Sequence, residues 1–192
     1  MKIGRLILRF IVGGYFFGHG TQKLFGWFGG YGPEGTGQFF ESIGLRPGKR
    51  HALAAGAAEA GGGALLVAGA ATPLAATVLT STMLTAINRV HLKNGPWVSN
   101  QGYEYNLVLI AAVLALTETG PGSPSVDAAI GAKWHGPTWA LRALVAGIVG
   151  AVGAHIIAER APAPEPAPAE ATADANGAGE GAAQTEATTP TS

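Results

Sequence analysis

Three ionisable residues fall at related places in two apolar stretches of this chain: His19 and Lys23 in the first, Glu59 in the second. An imidazole, an ammonium and a carboxylate are groups that hold the polar end of a ligand or exchange protons with it. Four residues separate His19 from Lys23, so the two lie on one side of a helix. If the stretches are antiparallel neighbours, a rise of ~1.5 Å per residue puts Lys23 about 7.5 Å below the shared end, Glu59 about 10.5 Å and His19 about 13.5 Å. The carboxylate can then meet either of the other two. Asn88 and His91, with Arg89, close a third apolar segment at that end, Glu104 and Asn106 open a fourth, and Trp27 stands at its edge.

A charge in the middle of a spanning helix costs roughly 2.5 to 3.5 kcal/mol, so Glu59 needs a partner or a proton. The ligand-binding candidates are therefore His19, Lys23, Trp27, Glu59, Asn88, His91, Glu104 and Asn106, with Glu59 the candidate proton-exchanging residue. An ion-paired network that only ties helices together competes on equal terms. Lys23 also has a second reading, in which its stem lets the ammonium snorkel to water. A metal site can be drawn from His19, Glu59 and His91, but neither His-x-x-x-His nor Glu-x-x-His spacing supports it, and no metal is expected. The chain has no cysteine, which removes thiolate ligands and dithiol relays of its own.

Such a set needs a membrane bundle to position it. Only 12% of the 192 residues are charged against 47% hydrophobic, and mean hydropathy is +0.25. A soluble domain carries about one quarter charged residues, so little is left here to cover a watery surface. The pattern predicts an all-α, polytopic membrane bundle: a four-helix core, a fifth transmembrane helix, and a disordered C-terminal tail. The helices are expected over about 6–28, 52–71, 74–90, 104–117 and 138–157, with an interfacial helix over about 38–43. Alanine and glycine in the second helix, and Thr77, Thr80, Ser81, Thr82 and Thr85 in the third, suit helix-to-helix packing inside the bundle. The fifth, with Gly147, Gly150 and Gly153, is expected at the periphery and its His155 as structural, while Gly61, Gly62 and Gly63 are packing residues rather than a phosphate loop.

Residues 161–192 hold Glu165, Glu170, Asp174, Glu180 and Glu186 but no Lys, Arg or aromatic residue. This Ala/Pro-rich acidic tail cannot bury enough apolar surface to fold alone. Removing its five acids leaves 12 basic and 7 acidic residues over 1–160, about +5, which suits anionic lipid head groups. The basic residues form no stripe interleaved with aromatics, so no nucleic-acid partner is expected. Arg5 and Arg9 lie at the end opposite the polar set and read as lipid-phosphate anchors or orientation signals. With Lys2 they favour a cytoplasmic N-terminus, whereas Arg46, Lys49, Arg50, Arg89 and Lys93 favour the reverse.

Taken in order, these residues resemble the DoxX family of small bacterial integral membrane proteins. The resemblance rests on Arg9 with Gly13-Gly14, on His19-Gly20 followed by Lys23-Leu24-Phe25-Gly26, and on Phe39-Phe40 ahead of Gly44. It continues through Glu59 with Gly62-Gly63 and Leu65-Leu66, then Tyr103-Glu104 and Gly120-Pro121-Gly122-x-x-Ser125-x-Asp127, covering roughly residues 3–130. It implies a four-helix core in the bacterial plasma membrane and an association with thiosulfate-to-quinone electron transfer or redox-defence partners. It assigns no catalytic roles to Arg9, Lys23 or Glu59.

The function expected is an accessory or anchoring subunit of a membrane redox system, part of a quinone-linked oxidoreductase if it belongs to an enzyme. No cofactor is intrinsic to the chain, and a quinone is the candidate one: Lys23, His19 and Trp27 would supply donors and Glu59 a proton. Membrane lipids, redox proteins and a second copy of the chain are the partners considered. A small proton-coupled transporter and a purely structural scaffold are the alternatives. The transporter reading lacks the paired interrupted helices and inverted repeat of transporter folds.

Overall fold

The computed structural model describes residues 3–162, so all but the first two residues of the tail expected over 161–192 lie outside the described part, as does Lys2. Among the described residues there are seven α-helices and no strand: α1 Ile3–Phe25, α2 Gly32–Ser42, α3 Gly48–Ala68, α4 Thr72–Ala86, α5 Glu104–Thr119, α6 Val126–Ala129 and α7 Pro137–Arg160.

Local chemistry sets the ends that differ from the expected ranges. Helix α1 stops at Phe25 rather than Phe28 because Gly26 takes a left-handed conformation, φ 71°, and the chain turns through a short 3₁₀ segment at Trp27–Gly29. Helix α3 starts at Gly48, whose N–H donates to Glu41 Oε1 at 2.7 Å, and it ends at Gly69, φ 61°. There the N–H groups of Gly69 and Ala70 bond back to Leu66 and Leu65, a Schellman closure. The helix expected over 38–43 begins earlier, at Gly32, with Pro33 in its first turn. Its glycines let it lie close: a Cβ on Gly37 would sit 3.0 Å from the Lys49 backbone. Helix α4 widens into a π turn over Ile87–His91.

The core cluster joins Val12 and Phe16 of α1, Leu66 of α3, Ala75, Ala76 and Leu79 of α4, Val113 and Leu116 of α5, and Ala143 of α7. Helices α1 and α3 approach almost backbone to backbone, since a Cβ on Gly13 would meet the Gly63 carbonyl at 2.8 Å. Helix α7, expected at the periphery, packs along α4, with Gly147 against Thr80 and Gly150 against Ser81. Helix α3 also packs on α4, yet α3 and α7 hardly touch each other.

Among the described residues two helices, α3 and α7, are long and apolar enough to cross a membrane. Helix α1 has 23 residues but carries Arg5, Arg9 and Lys23, while α4 and α5 have 15 and 16 residues. Large apolar side chains nevertheless face outward on several helices, among them Ile7, Phe10 and Ile11 of α1, Leu107 and Val108 of α5, and Val145, Val149 and Val152 of α7.

Candidate functional site

Helices α1, α3, α4 and α5 bring polar residues to one end of the bundle, where a cavity of about 930 Å³ opens. Glu59, about two turns below the start of the helix expected from sequence, is 5% exposed, and its Oε2 accepts a hydrogen bond from Lys23 Nζ at 2.6 Å. The ammonium also donates to the His19 carbonyl, one turn back, at 3.3 Å. This is a charge-assisted ion pair at the cavity wall, with the lysine side chain 22% exposed and the glutamate 6%. A carboxylate this enclosed is tolerable only because its partner is present; leaving it alone would cost several kcal/mol. The register that sets His19 and Lys23 one turn apart therefore positions the pair.

The imidazole of His19 turns to Gln22, Nδ1 to Oε1 2.9 Å, but still lines the cavity. His91 lines it too, from the π turn of α4, with Nδ1 2.7 Å from the Gln101 carbonyl. Asn106 is buried at 6% exposure on the α5 side, where Nδ2 lies 3.4 Å from Met83 Sδ. The other three candidates fall outside the cavity wall. Glu104 accepts from the Val98 N–H at 2.8 Å and so closes the loop before α5; Asn88 is exposed on the π turn; Trp27 is exposed and packs on Phe25, ring centroids 5.2 Å apart. Each lies at the expected end of its helix but faces away from the cavity. No three His, Asp or Glu residues among the described ones gather to hold a metal ion, so His19, Glu59 and His91 do not form the site that can be drawn from sequence.

The cavity contains residues that the sequence reading left in other roles or did not single out. Arg50 and His51, at the start of α3, line its head together with Arg89. Their place on α3, more than two turns above Glu59, was the available signal. Thr77, Ser81 and Thr85 line it from α4, at the i, i+4 spacing of one helix face, rather than serving only as packing hydroxyls. Tyr15 and Phe16 of α1 and Tyr105 of α5 add aromatic surface, and Phe39, Phe40 and Ile43 roof it from α2 and its C-terminal end.

The opposite end corrects the reading of Arg5 and Arg9 as lipid anchors. Arg9 is 2% exposed, and its guanidinium donates to the carbonyls of Pro121 at 2.9 Å and Pro124 at 2.7 Å. Arg5 donates to the carbonyls of Thr119 and Gly120. Beside them the buried Asp127 accepts from the Ala71 N–H at 2.8 Å, the Thr72 N–H at 3.2 Å and the Thr72 hydroxyl at 3.0 Å, capping α4 from the short helix α6. These groups hold backbone, and none of them faces the cavity.

An all-helical fold with a Lys–Glu pair in the wall of a cavity at one end, and a clasp at the other in which Arg9 and Asp127 each hold backbone, defines the class. The DoxX family model matches residues 4–92. The chain is also similar to the Bacillus subtilis (strain 168) protein named "Putative oxidoreductase CatD", 40% identical over 116 residues that take in 60% of this chain and 80% of the relative. The chain belongs to the DoxX family. No solved structure matches it.

Proposed function

We propose that this DoxX-family protein is a multi-pass bundle of the bacterial plasma membrane, with residues 1–160 forming the bundle and 161–192 an acidic tail, and that it serves as an accessory or anchoring subunit of a membrane redox system. The membrane reading is supported by the outward-facing apolar side chains of α1, α5 and α7, which water would disfavour and acyl chains accept. The redox reading is supported by the family and by the name of its relative.

One observation carries the site: the Lys23–Glu59 pair, 2.6 Å apart, borders a largely apolar cavity with Tyr15, Phe16 and Tyr105 in its wall. A quinone fits this donor set, because its ring needs an apolar cleft with a few hydrogen-bonding groups, and a cavity of about 930 Å³ is large enough. Bound there, a quinone would supply two-electron, two-proton redox capacity. The residues of the chain would orient it: Lys23 Nζ is the donor at the wall, and Glu59 Oε2 the atom at which a proton is held or passed on. Tyr15 and Phe16 would flank the ring and keep water out.

The test is native mass spectrometry on the full chain extracted gently from its own membranes, alongside quinone-linked electron transfer in those membranes, for wild type and Glu59→Gln. We expect a bound quinone or a stoichiometric redox protein with the wild type, and a loss of about tenfold or more in coupled activity for the variant at equal protein level, the range of a lost proton-transfer group. A wild-type protein that carries only bulk lipid, with unchanged activity in Glu59→Gln, overturns the proposal.

A further inference from the structure

The cavity has a second lobe that the quinone reading does not use. Helix α4 divides it: Met83 faces α5, its sulfur against Asn106, whereas Val78 lies against Gly62 of α3 and Ser81 against Gly150 of α7, with Thr85 one turn on, beside the gap between those two helices. Because α3 and α7 both pack on α4 but hardly on each other, this gap is a slot open along its length. Its walls are small residues, Ala55 and Ala58 on α3 and Gly150, Gly153 and Ala154 on α7. From Ala146 to Ile157 it runs about 16 Å along α7, most of the length of an acyl chain. Two of the floor hydroxyls make no demand on an occupant: Thr77 and Thr85 donate to the carbonyls of Pro73 and Ser81 in their own helix, both at 2.9 Å.

The head of the slot is positive. Arg50, His51 and Arg89 meet there, at the depth of the helix ends. The Arg89 side chain is 18% exposed, and its Nε and Nη2 are buried without a hydrogen-bond partner among the described residues. The nearest carboxylate, Glu159, stands 3.8 Å from Nη2, beyond hydrogen-bond length. Arg50 has no carboxylate partner among the described residues. The imidazole of His51 points Nε2 at the Arg46 carbonyl, 3.1 Å away. Two guanidinium groups against one loosely placed carboxylate leave an excess of positive charge and unmade donors, which is what a phosphate or carboxylate satisfies.

We propose that this slot binds an anionic phospholipid, its phosphate on Arg89 and Arg50 and one acyl chain between α3 and α7, the second chain remaining in the bilayer. The open side of the slot favours this source of anion over a soluble one, which would have to pass the Phe39, Phe40 and Ile43 roof. Basic pockets between membrane helices recognise lipid head groups on the same grounds.

The full chain, reconstituted in nanodiscs of equal phosphatidylglycerol and phosphatidylcholine, is re-extracted, washed and weighed by native mass spectrometry. Retention of one phosphatidylglycerol per protein is expected, favoured over phosphatidylcholine by about fivefold for each cationic residue engaged. Arg89→Gln should lose about that factor. Gly153→Leu should abolish retention by filling the slot; a Cβ at Gly153 meets nothing within 4 Å, so the fold tolerates it. Arg142→Gln, on the outer end of α7, should leave retention unchanged. Equal retention of the two lipids, retention unaffected by both Arg89→Gln and Gly153→Leu, or a free fatty acid in place of the phospholipid each overturns the proposal. Ubiquinone added to a parallel set of these nanodiscs, its retention compared between wild type and Glu59→Gln, reports separately on the other lobe.

Discussion

The two ends of this bundle spend their charges differently. At one end Arg9 and Asp127 are almost fully buried, and their bonding capacity goes largely to backbone: two proline carbonyls for the arginine, two N–H groups and a hydroxyl at the start of α4 for the aspartate. At the other end Glu59 is equally enclosed, but its partner is a flexible lysine and both border a cavity of about 930 Å³. A charge held by fixed carbonyls or amides has one arrangement and serves rigidity. A charge held by one mobile side chain next to open space can exchange that partner for a ligand.

The contrast can be broken most forcefully at the closed end. Asp127→Ala strips three donors of their acceptor, each worth about 1 to 3 kcal/mol when left buried and unpaired, so a loss of several kcal/mol is expected, read as a large fall in the thermal midpoint of detergent-solubilised protein. A midpoint close to wild type would mean that the clasp holds nothing. At the open end, Lys23→Met leaves Glu59 without its partner and should cost about 2 kcal/mol, lessened by the partial exposure of the pair. Lys23→Met combined with Glu59→Leu should recover most of that loss while removing the activity proposed for the site. Recovery of stability together with full activity would make the pair purely structural.

Between the two ends, Gly63→Ala sharpens the comparison by testing whether α1 and α3 carry strain from one to the other. Its Cβ would collide with the Phe17 backbone, so a destabilisation of about 1 to 3 kcal/mol is expected, readable in the same melts. The smallest effect belongs to α2. Glu34 hydrogen-bonds Lys49, and that bond and the lysine charge hold its carboxyl below the ordinary carboxylate range. Because the folded value is the lower one, the contribution of the pair is complete above the unfolded value and is lost as pH falls through the folded one. Glu34→Gln should therefore differ slightly from wild type in melts at neutral pH and converge with it in acid; an equal difference at both would discard the assignment.

Much of the open end was legible in the sequence because it is local in register. His19 and Lys23 share a helix face by their spacing, and antiparallel depth brings Glu59 to the same level, which is where Lys23 meets it. Depth does not give rotation. Asn88, Trp27 and Glu104 sit at the expected level but turn to solvent or to their own loops, since a single helix end carries no signal for which side its neighbours occupy. Arg50 and His51 were passed over for the same reason in reverse. The glycine-rich stretch before Gln38 reads as loop by propensity, yet from Gly32 on it is helical, and Gly37 lets α2 press against α3.

By itself the sequence determined the all-helical character of the described chain, the apolar segments and their approximate ends, and the level at which a lysine and a glutamate would meet. These follow from composition, from the 3.6-residue period and from rise per residue, all of which act over a turn or two. Only the tertiary structure decided that Arg9 is a clasp and not an anchor, because the carbonyls that take its protons lie 112 and 115 residues along the chain. It likewise decided that a gap remains between α3 and α7, since an unfilled space is a property of how helices pack on a shared neighbour and leaves no mark in either of their sequences.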